Sequence, residues 1–462
     1  MASARLFGSR CYKTRRCARS PPRHINCHSS PGWNLIVARH GRIPPARVPN
    51  GDLGIDSTAG FGAELAPSRY PGPTVLAALL QRTTDPFQIW RTVLATALEV
   101  HDVAGLTWAE RLDWVQQNPE PMEHALAEAD KAAGEQGRTR LILFDALEHL
   151  HEDRSVTDTL VAGVLRLALE LRTRTKNLRA KVFIRRDMLT SSQLHFPDSS
   201  KLIANPADLT WTETNLYGLL FHLLGNAESG ISQQFRTAHP AWHEERRADT
   251  DRSTRYRAPT TLSGDAATQQ RIFTDIAGPY MGTDHRKGHT YTWLPNHLMD
   301  GIGQVSPRSF LSALATAVQD TRTRYAGYRY ALHFEGIRRG VQAASAVRVG
   351  EITEDLPWVA VAVEALAGTQ VPMDPEMILE RWAEGRLGDR LIEKATEINK
   401  SRDESKVRTG PRDPANYPQL IEELVQLGVM SPRANGRIDL PDVYRVAFGI
   451  GRRGGVPRIR GS

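Results

Sequence analysis

The pattern of apolar and polar positions predicts an α/β region at the centre of the chain. Four apolar residues, 141–144, run into Asp145 and predict a buried parallel strand. Apolar residues at helical spacing follow over residues 157–178, and a second short strand is predicted at 181–184, just before Arg185. A strand, a helix and a strand form one βαβ unit. We therefore expect two adjacent parallel strands with Asp145 and Arg185 at the same edge of the sheet.

Asp145 is the first candidate for chemistry, because open α/β sheets present residues to ligands at the C-terminal ends of their strands. A carboxylate that closes an apolar strand usually needs a partner, and nucleotide-bound Mg²⁺ is a common one. The alternative is that Asp145 merely caps the helix that follows. Arg185 on the neighbouring strand would place a phosphate-binding cation beside this acid. The pair favours a nucleotide site.

A phosphate-binding loop of the form GxxxxGK[ST] is missing from the chain. The nearest imitation, GTDHRKGHT at residues 282–290, has the wrong spacing and no Gly-Lys pair. Residues 51–72 are rich in Gly and Pro and predict a region dominated by loops. We expect weak or no nucleotide hydrolysis, because the amides and the lysine of such a loop neutralise the phosphates before a metal is usefully held.

Helical patterns predict the rest of the organisation. Residues 51–225 form the α/β core, 226–268 a polar insertion or linker, 269–320 a helical lid, and 321–462 a helical C-terminal domain. In the lid, Ser306 is expected at the N-cap and Pro307 at the first position of a helix. Arg308 then lies in the first turn, where a cation is unfavourable unless an anion meets it. The alternative is a solvated surface arginine.

The C-terminal end predicts a winged-helix-like module. It combines a helix at 418–427, a hairpin around the turn Asn435-Gly436, a helix at 441–448 and a basic tail. Arg445 is the only basic residue of the final helix, so nucleic acid is possible as a partner but not favoured. We expect the module to pack against the rest of the chain or a protein partner, through a small core of Leu424, Leu427, Val429, Ile438 and Leu440 with Tyr444 on the contacting side.

Charge and cysteine are concentrated in the first 50 residues. The chain has a net charge of +7, but residues 1–50 hold ten basic and no acidic residues, which leaves 49 basic against 52 acidic residues in the remainder. Cys11, Cys17 and Cys27 are the only cysteines, which excludes a disulfide-built secreted protein. The segment is predicted to be disordered or misread, with a transit peptide or a zinc site as alternatives.

Because the chain has no apolar run of about 18 residues, we expect a cytoplasmic protein with no membrane contact.

Several of these stretches together resemble a bacterial family of P-loop ATPases with a C-terminal winged helix, related in plan to the additional-strand NTPases of the AAA, KAP and STAND classes. The resemblance covers residues 51–455, and the stretches that carry it are FDALEHL, KVFIRRDM, FPDSSKL, TYTWLPNHL, SPRSFL and GRIDLPDVYRVAFGIGRRGG. It implies a P-loop NTPase-type parallel sheet, a helical lid and a winged-helix region. ATP and Mg²⁺ would be the cofactors, and protein partners or self-association would be expected.

The resemblance also implies roles for four residues. Asp145 would hold Mg²⁺ and Glu148 would polarise the attacking water; Arg185 and Arg308 would contact the phosphates, Arg185 as a sensor or finger and Arg308 as a lid arginine. Ala146 stands where a second acid is expected, which puts the role of Glu148 in doubt. The expected function is an ATP-dependent molecular switch, inactive if the phosphate loop is truly missing. The alternative is a non-enzymatic winged-helix scaffold or regulator that keeps a degenerate NTPase fold.

Overall fold

A computed structural model describes residues 48–50, 54–62, 64–151, 153–189, 202, 209–227, 230–245, 254–400 and 410–452. The predictions for the N-terminal segment up to residue 47 and for the basic tail beyond residue 452 lie outside these residues, as does most of FPDSSKL. The described elements are mixed α and β, with far more helix than strand. None of the helices described combines the length and the apolar character needed to cross a membrane.

A four-stranded sheet lies in the first third of the chain. Its strands are β1 (Val48–Asn50), β2 (Ile55–Phe61), β3 (Thr139–Phe144) and β4 (Leu178–Val182), paired in that order. β1 is antiparallel to β2, whereas β2, β3 and β4 are parallel to one another. The predicted adjacent parallel strands are thus confirmed as β3 and β4, with Phe144 opposite Val182.

Residues 51–72 contain strand β2, which the sequence pattern does not predict, while the described residues from 62 to 72 are loop and turn. The strand has the sequence IDSTAGF, which contains no apolar run, and its burial is confined to residues 59–61. Gly60 is required where β2 meets β3, because a Cβ there would lie 2.7 Å from the ring of Phe144. This close approach explains why the strand has a glycine at position 60.

Strand β3 is less buried than its apolar sequence predicts. Ile142 and Phe144 are buried, but Leu141 and Leu143 are only half-buried. The expected burial of both faces is therefore wrong, and the alternation is that of a sheet with one well-covered face. The covered face packs on helices α1 to α6, which are Pro73–Leu80, Pro86–Ala97, Trp108–Gln117, Pro119–Glu135, Arg154–Arg174 and Arg186–Leu189.

Trp90 of α2 anchors the first hydrophobic core beneath the ends of β2 and β3. Its ring meets Phe61 and Phe144 edge-on at centroid distances of 6.2 and 5.7 Å, and its indole N–H donates to the Leu160 carbonyl at 2.9 Å. Gly163 of α5 leaves room for the indole, since a Cβ there would be 2.8 Å from the Trp90 ring. The helices α2 and α5 are thereby held under the strand ends that carry Asp145.

A second hydrophobic core joins the helices that follow. They are α7 (Glu213–Asn226), α8 (Gly230–Ala238), α9 (Thr260–Gly264), α10 (Ala266–Ala277), α11 (Thr290–Leu298), α12 (Pro307–Arg324) and α13 (Phe334–Asp355). The region predicted as a polar insertion or linker contains α8, α9 and the antiparallel strands β5 (His243–Glu245) and β6 (Arg255–Arg257). Phe235 and Leu262 bury their side chains in this core, so these elements pack with the predicted lid.

The C-terminal part has a third core. Its helices are α14 (Pro357–Glu364), α15 (Pro375–Glu384), α16 (Leu387–Lys400), α17 (Tyr417–Gln426) and α18 (Asp442–Arg445), and its short strands are β7 (Gln370–Val371), β8 (Ser431–Pro432), β9 (Ile438–Asp439) and β10 (Gly451–Arg452). β8 and β9 form the expected antiparallel hairpin. The predicted small core is buried except for Leu427, which is partly exposed. Tyr444 is fully buried, near Arg348 of α13.

Candidate nucleotide site

The C-terminal ends of β2, β3 and β4 form one edge of the sheet, which we call the strand-end site. Asp145 follows β3 directly, and its backbone N–H donates to the Phe61 carbonyl of β2 at 3.2 Å. On the other side, Phe183 N–H donates to the Phe144 carbonyl at 2.8 Å. Asp145 therefore lies between the ends of two neighbouring strands, with Arg185 three residues beyond β4 on the same edge.

The turn after β3 holds the Asp145 carboxylate in a defined position. Ala146 adopts a left-handed backbone conformation with φ of 56°, which is unusual for a residue with a side chain. Its N–H donates to Asp145 Oδ1 at 2.9 Å. Asp145 is half-buried, so part of its side chain remains accessible to solvent. The capping alternative is met only in part, because the bond goes to the adjacent residue.

Glu148 lies in the short 3₁₀ turn Leu147–His149, three residues after Asp145. Its side chain is half-buried and makes no hydrogen bond or ion pair within the described residues. Arg185 is also half-buried, and its carbonyl accepts from the N–H groups of Met188 and Leu189 at the start of the last helix of this region. Three of the four predicted residues thus follow β3 and β4 at the strand-end site.

Arg308 is engaged in another part of the molecule. Its guanidinium donates to Glu351 of α13 at 3.0 Å, and the same carboxylate pairs with Arg348 at 3.3 Å. Ser306 caps the helix by accepting from the Ser309 N–H at 3.5 Å, as the sequence predicts. The anion that meets Arg308 is therefore a side chain of this protein. No hydrogen bond or ion pair among the described residues joins Arg308 to Asp145 or Glu148.

The loop between β2 and α1 was not recognised as part of a site from the sequence. It leaves the sheet at the same edge as Asp145 and enters α1 at Gly72 and Pro73. Its ends are tied by Tyr70, whose hydroxyl donates to the Glu64 carbonyl and whose pKa burial raises to about 12. The Trp108 indole N–H also donates to the Pro67 carbonyl at 2.9 Å. The missed signal is the pair Gly60 and Gly62, which indicates a turn.

This loop joins a strand to a helix at the strand-end site, but it lacks the residue types of a phosphate-binding loop. Arg69 is the only basic residue of positions 62–72, and no lysine occurs between Lys13 and Lys131. A lysine that reaches the phosphates is part of the GxxxxGK[ST] motif. Among the residues that the structure describes, this loop therefore offers an arginine and no lysine.

An ionic cluster connects the start of α5 with the C-terminal part. Arg154 donates to Asp158 at 3.1 Å, and both side chains are buried. Asp158 also accepts from Arg412 at 3.4 Å, and Arg412 N–H donates to Glu423 of α17 at 3.1 Å. Burial raises the pKa of Glu423 above its ordinary value, against the opposing effect of Arg412. The helix that follows the Asp145 turn is thereby bonded to the C-terminal part.

The donor set at the strand-end site fits a nucleotide-bound metal better than a free one. No group of three or more metal-binding side chains occurs among the described residues. Mg²⁺ is commonly held by one or two carboxylates together with substrate phosphates and water. Asp145, with Glu148 close in sequence, would supply that share and leave the remaining positions to phosphate oxygens.

Comparison with known proteins finds no relative: no protein-family model, no curated protein and no solved structure matches this chain.

Proposed function

We propose that this protein is an ATP-binding molecular switch whose nucleotide lies at the strand-end site. The observation that carries the proposal is the convergence of three strand ends, which brings Asp145, Arg185 and the loop after β2 to one edge of the sheet. Ligands of open α/β sheets bind outside the carboxyl ends of the strands. An acid beside an arginine at that edge suits a phosphate-bearing ligand that carries a divalent cation.

Each residue then has a distinct task. Asp145 would hold Mg²⁺ through the oxygen that does not accept from Ala146, and Arg185 would neutralise phosphate charge. Mg²⁺, when bound, supplies charge neutralisation between neighbouring phosphate oxygens. Glu148 has no partner that would compete for its carboxylate among the described residues, so it is available to orient a water molecule.

Arg308 would act as the moving part of the switch. In the structure Glu351 holds it, with the Arg308 side chain still about half exposed. An exposed ion pair contributes little to stability, so a phosphate could compete with Glu351 for the guanidinium. The exchange of Glu351 for a phosphate would link the nucleotide to α12 and α13. The ionic cluster of Arg154, Asp158 and Arg412 gives a second link, from the strand-end site to α17.

Slow or absent hydrolysis is part of this proposal. The lysine that would polarise the terminal phosphates is missing, and Ala146 replaces a second acid after Asp145. Electrostatic stabilisation of the transition state is usually the largest catalytic contribution, so the loss of these groups lowers the rate more than the affinity. A switch that binds ATP and releases it unhydrolysed fits the residues present.

The test is a titration of the full chain with a fluorescent ATP analogue, with and without Mg²⁺. Asp145→Ala is expected to weaken Mg²⁺-dependent binding about ten-fold or more, because a charge-assisted contact to the metal is lost. Asp389→Ala is the matched control, since Asp389 of α16 is an exposed acid that pairs with Arg386. Phosphate release is expected to stay near background. Equal binding by wild type and Asp145→Ala would remove Asp145 from the site.

The second candidate is a non-enzymatic scaffold or regulator that has lost nucleotide binding. It is favoured by the absence of a Gly-Lys pair and by the pairing of Arg308 with Glu351. The same titration separates the two functions. Absence of saturable binding at millimolar ATP and Mg²⁺ would reject the switch and leave the scaffold.

A further inference from the structure

Two loops at one end of the helical region lie against each other and form a continuous surface. The first, residues 278–289, joins α10 to α11, and the second, residues 325–333, joins α12 to α13. Tyr330 packs on Gly278, where a Cβ would come within 2.9 Å of the ring. Leu332 N–H donates to the Ile276 carbonyl at 3.1 Å, and Arg338 donates to the Met281 carbonyl at 3.3 Å. We call residues 278–289 and 325–338 the loop surface.

Three strong cations of the loop surface have no carboxylate partner among the residues that the structure describes. Arg286, Lys287 and Arg329 are all exposed. Arg329 lies over the Tyr330 ring with its guanidinium carbon 5.2 Å from the centroid.

The acidic side chains of the loop surface, and one beside it, are already bonded to other groups. Asp284 accepts from the Arg286 N–H at 2.8 Å as the cap of a 3₁₀ turn, and Glu335 pairs with Arg338 at 2.5 Å. Asp320, beside the surface on α12, is shared by Arg324 and Arg339 at 3.0 and 2.9 Å. The positive charge of Arg286, Lys287 and Arg329 is left facing solvent.

Aromatic rings are interleaved with these cations. Tyr325 stacks on His333 at a centroid distance of 3.7 Å, and Tyr328 meets Tyr330 at 5.9 Å and His333 at 4.3 Å. On the other loop, Tyr280 lies against His289 at 4.9 Å. Tyr325, Tyr328 and Tyr330 are only half-buried, so part of each side chain remains accessible. The rings hold one another in place before any ligand arrives.

We propose that the loop surface binds single-stranded nucleic acid. Exposed cations follow a phosphate backbone, and partly exposed rings give the unstacked bases a platform. A duplex hides the faces of its bases, so it could use the cations but not the rings. This surface is separate from the C-terminal hairpin, where nucleic-acid binding was considered from the sequence. It also includes the GTDHRKG segment that imitates a phosphate loop without its spacing.

The first test measures binding of the full chain to a fluorescent oligodeoxythymidine of about 16 nucleotides, the upper site size of small single-strand modules. Arg286→Gln combined with Lys287→Gln should lower the slope of log affinity against log salt by about 1.4, because each phosphate contact contributes about 0.7. Lys131→Gln combined with Arg386→Gln removes the same charge from exposed sites elsewhere and should leave the slope unchanged. Any contribution of the basic N-terminal residues to binding is the same in the two double variants, because both keep that segment unchanged.

The second test addresses the rings. Tyr328→Leu keeps an apolar side chain but loses the aromatic face, and it should weaken single-strand binding about five-fold or more. Tyr328→Phe keeps the face and should bind like wild type. Tighter binding of a duplex than of the single strand would overturn the proposal. Equal salt slopes in the two double variants would overturn the proposal as well. Polyglutamate that competes as effectively as the unlabelled oligonucleotide would also overturn it, because that result would indicate an acidic protein partner.

Discussion

Two arginine-rich regions of this protein use the same residue type in opposite ways. In the C-terminal hairpin region, Arg445 is fully buried and donates to Asp442 at 2.6 Å. Arg452 donates to Asp442 as well, at 3.3 Å, and it pairs with Asp439 together with Arg433. Each of these three arginines forms an ion pair with a carboxylate of the same region, so all three are engaged within the fold.

Three cations of the loop surface have no such compensation, whereas Arg338 of that surface pairs with Glu335. Arg286, Lys287 and Arg329 face solvent, while the nearby acids are used by other groups. In both regions, the number of nearby carboxylates determines whether an arginine is paired within the fold or left facing solvent. Paired and buried, it fixes the position of a hairpin; unpaired and exposed, it is free to meet an anionic partner. Overall charge does not distinguish the two cases.

The largest expected effect comes from Arg445. In Arg445→Met, the basic side chains left beside the buried Asp442 carboxylate are Arg452 at 3.3 Å and His297 at 3.8 Å. Removing one partner of a buried pair costs about 3–5 kcal/mol, so urea unfolding should show a loss of about that size. Arg445→Met combined with Asp442→Asn should lose less, because the buried carboxylate that lost its closest cation is then removed as well. A loss below about 1 kcal/mol would mean that the pair is not a structural element.

A smaller effect concerns the pH dependence of stability. Burial would raise the pKa of Asp439, but hydrogen bonds from Arg452 and Arg433 outweigh it and lower the pKa below its ordinary value. The ionised group therefore stabilises the fold above the ordinary Asp pKa of about 3.9, and this stability is lost as pH falls through the lower folded-state pKa. Asp439→Asn should flatten the acid side of a plot of unfolding free energy against pH.

Glu423 supplies a control of opposite sign for that measurement. Burial raises its pKa, so the folded protein binds a proton more tightly than the unfolded chain does. Its contribution to stability is present below the ordinary Glu pKa and is lost as pH rises through the higher folded-state pKa. Glu423→Gln should remove that decline and leave the acid side unchanged. The same slope change in both variants would contradict the assigned directions.

The sequence predicts part of the α/β fold because β3 and β4 have strong local signals. The apolar run before Asp145 and the helical spacing after it are sufficient to place two parallel strands and their shared edge. Strand β2 lacks such a run. Two of its buried positions, where the strand lies against β3, are the small residues Ala59 and Gly60. Its place in the sheet depends on the ring of Phe144, more than 80 residues further along the chain.

Tertiary pairing limits the prediction of the site in the same way. The capped helix with Arg308 in its first turn is a local pattern and was predicted correctly. Glu351, the partner of Arg308, is 43 residues away, and nothing near Arg308 in the sequence indicates it. The loop surface is likewise assembled from two distant segments, although the alternation of Arg and Tyr in RTRYAGYRYALHF is a signal that could have indicated it.

The smallest expected effect is the sharpest test of the comparison. Arg437→Gln breaks an exposed pair with Asp374 at 3.0 Å and should cost about 0.2–1 kcal/mol, because solvent already screens both groups. Arg286→Gln combined with Lys287→Gln breaks no pair and should leave the urea unfolding free energy within about 0.5 kcal/mol of wild type. Both variants remove positive charge from exposed positions, so a general effect of charge would appear in each of them. A loss above about 1 kcal/mol for the loop-surface variant would show that these cations hold the fold together, and the division between structural and binding arginines would then fail.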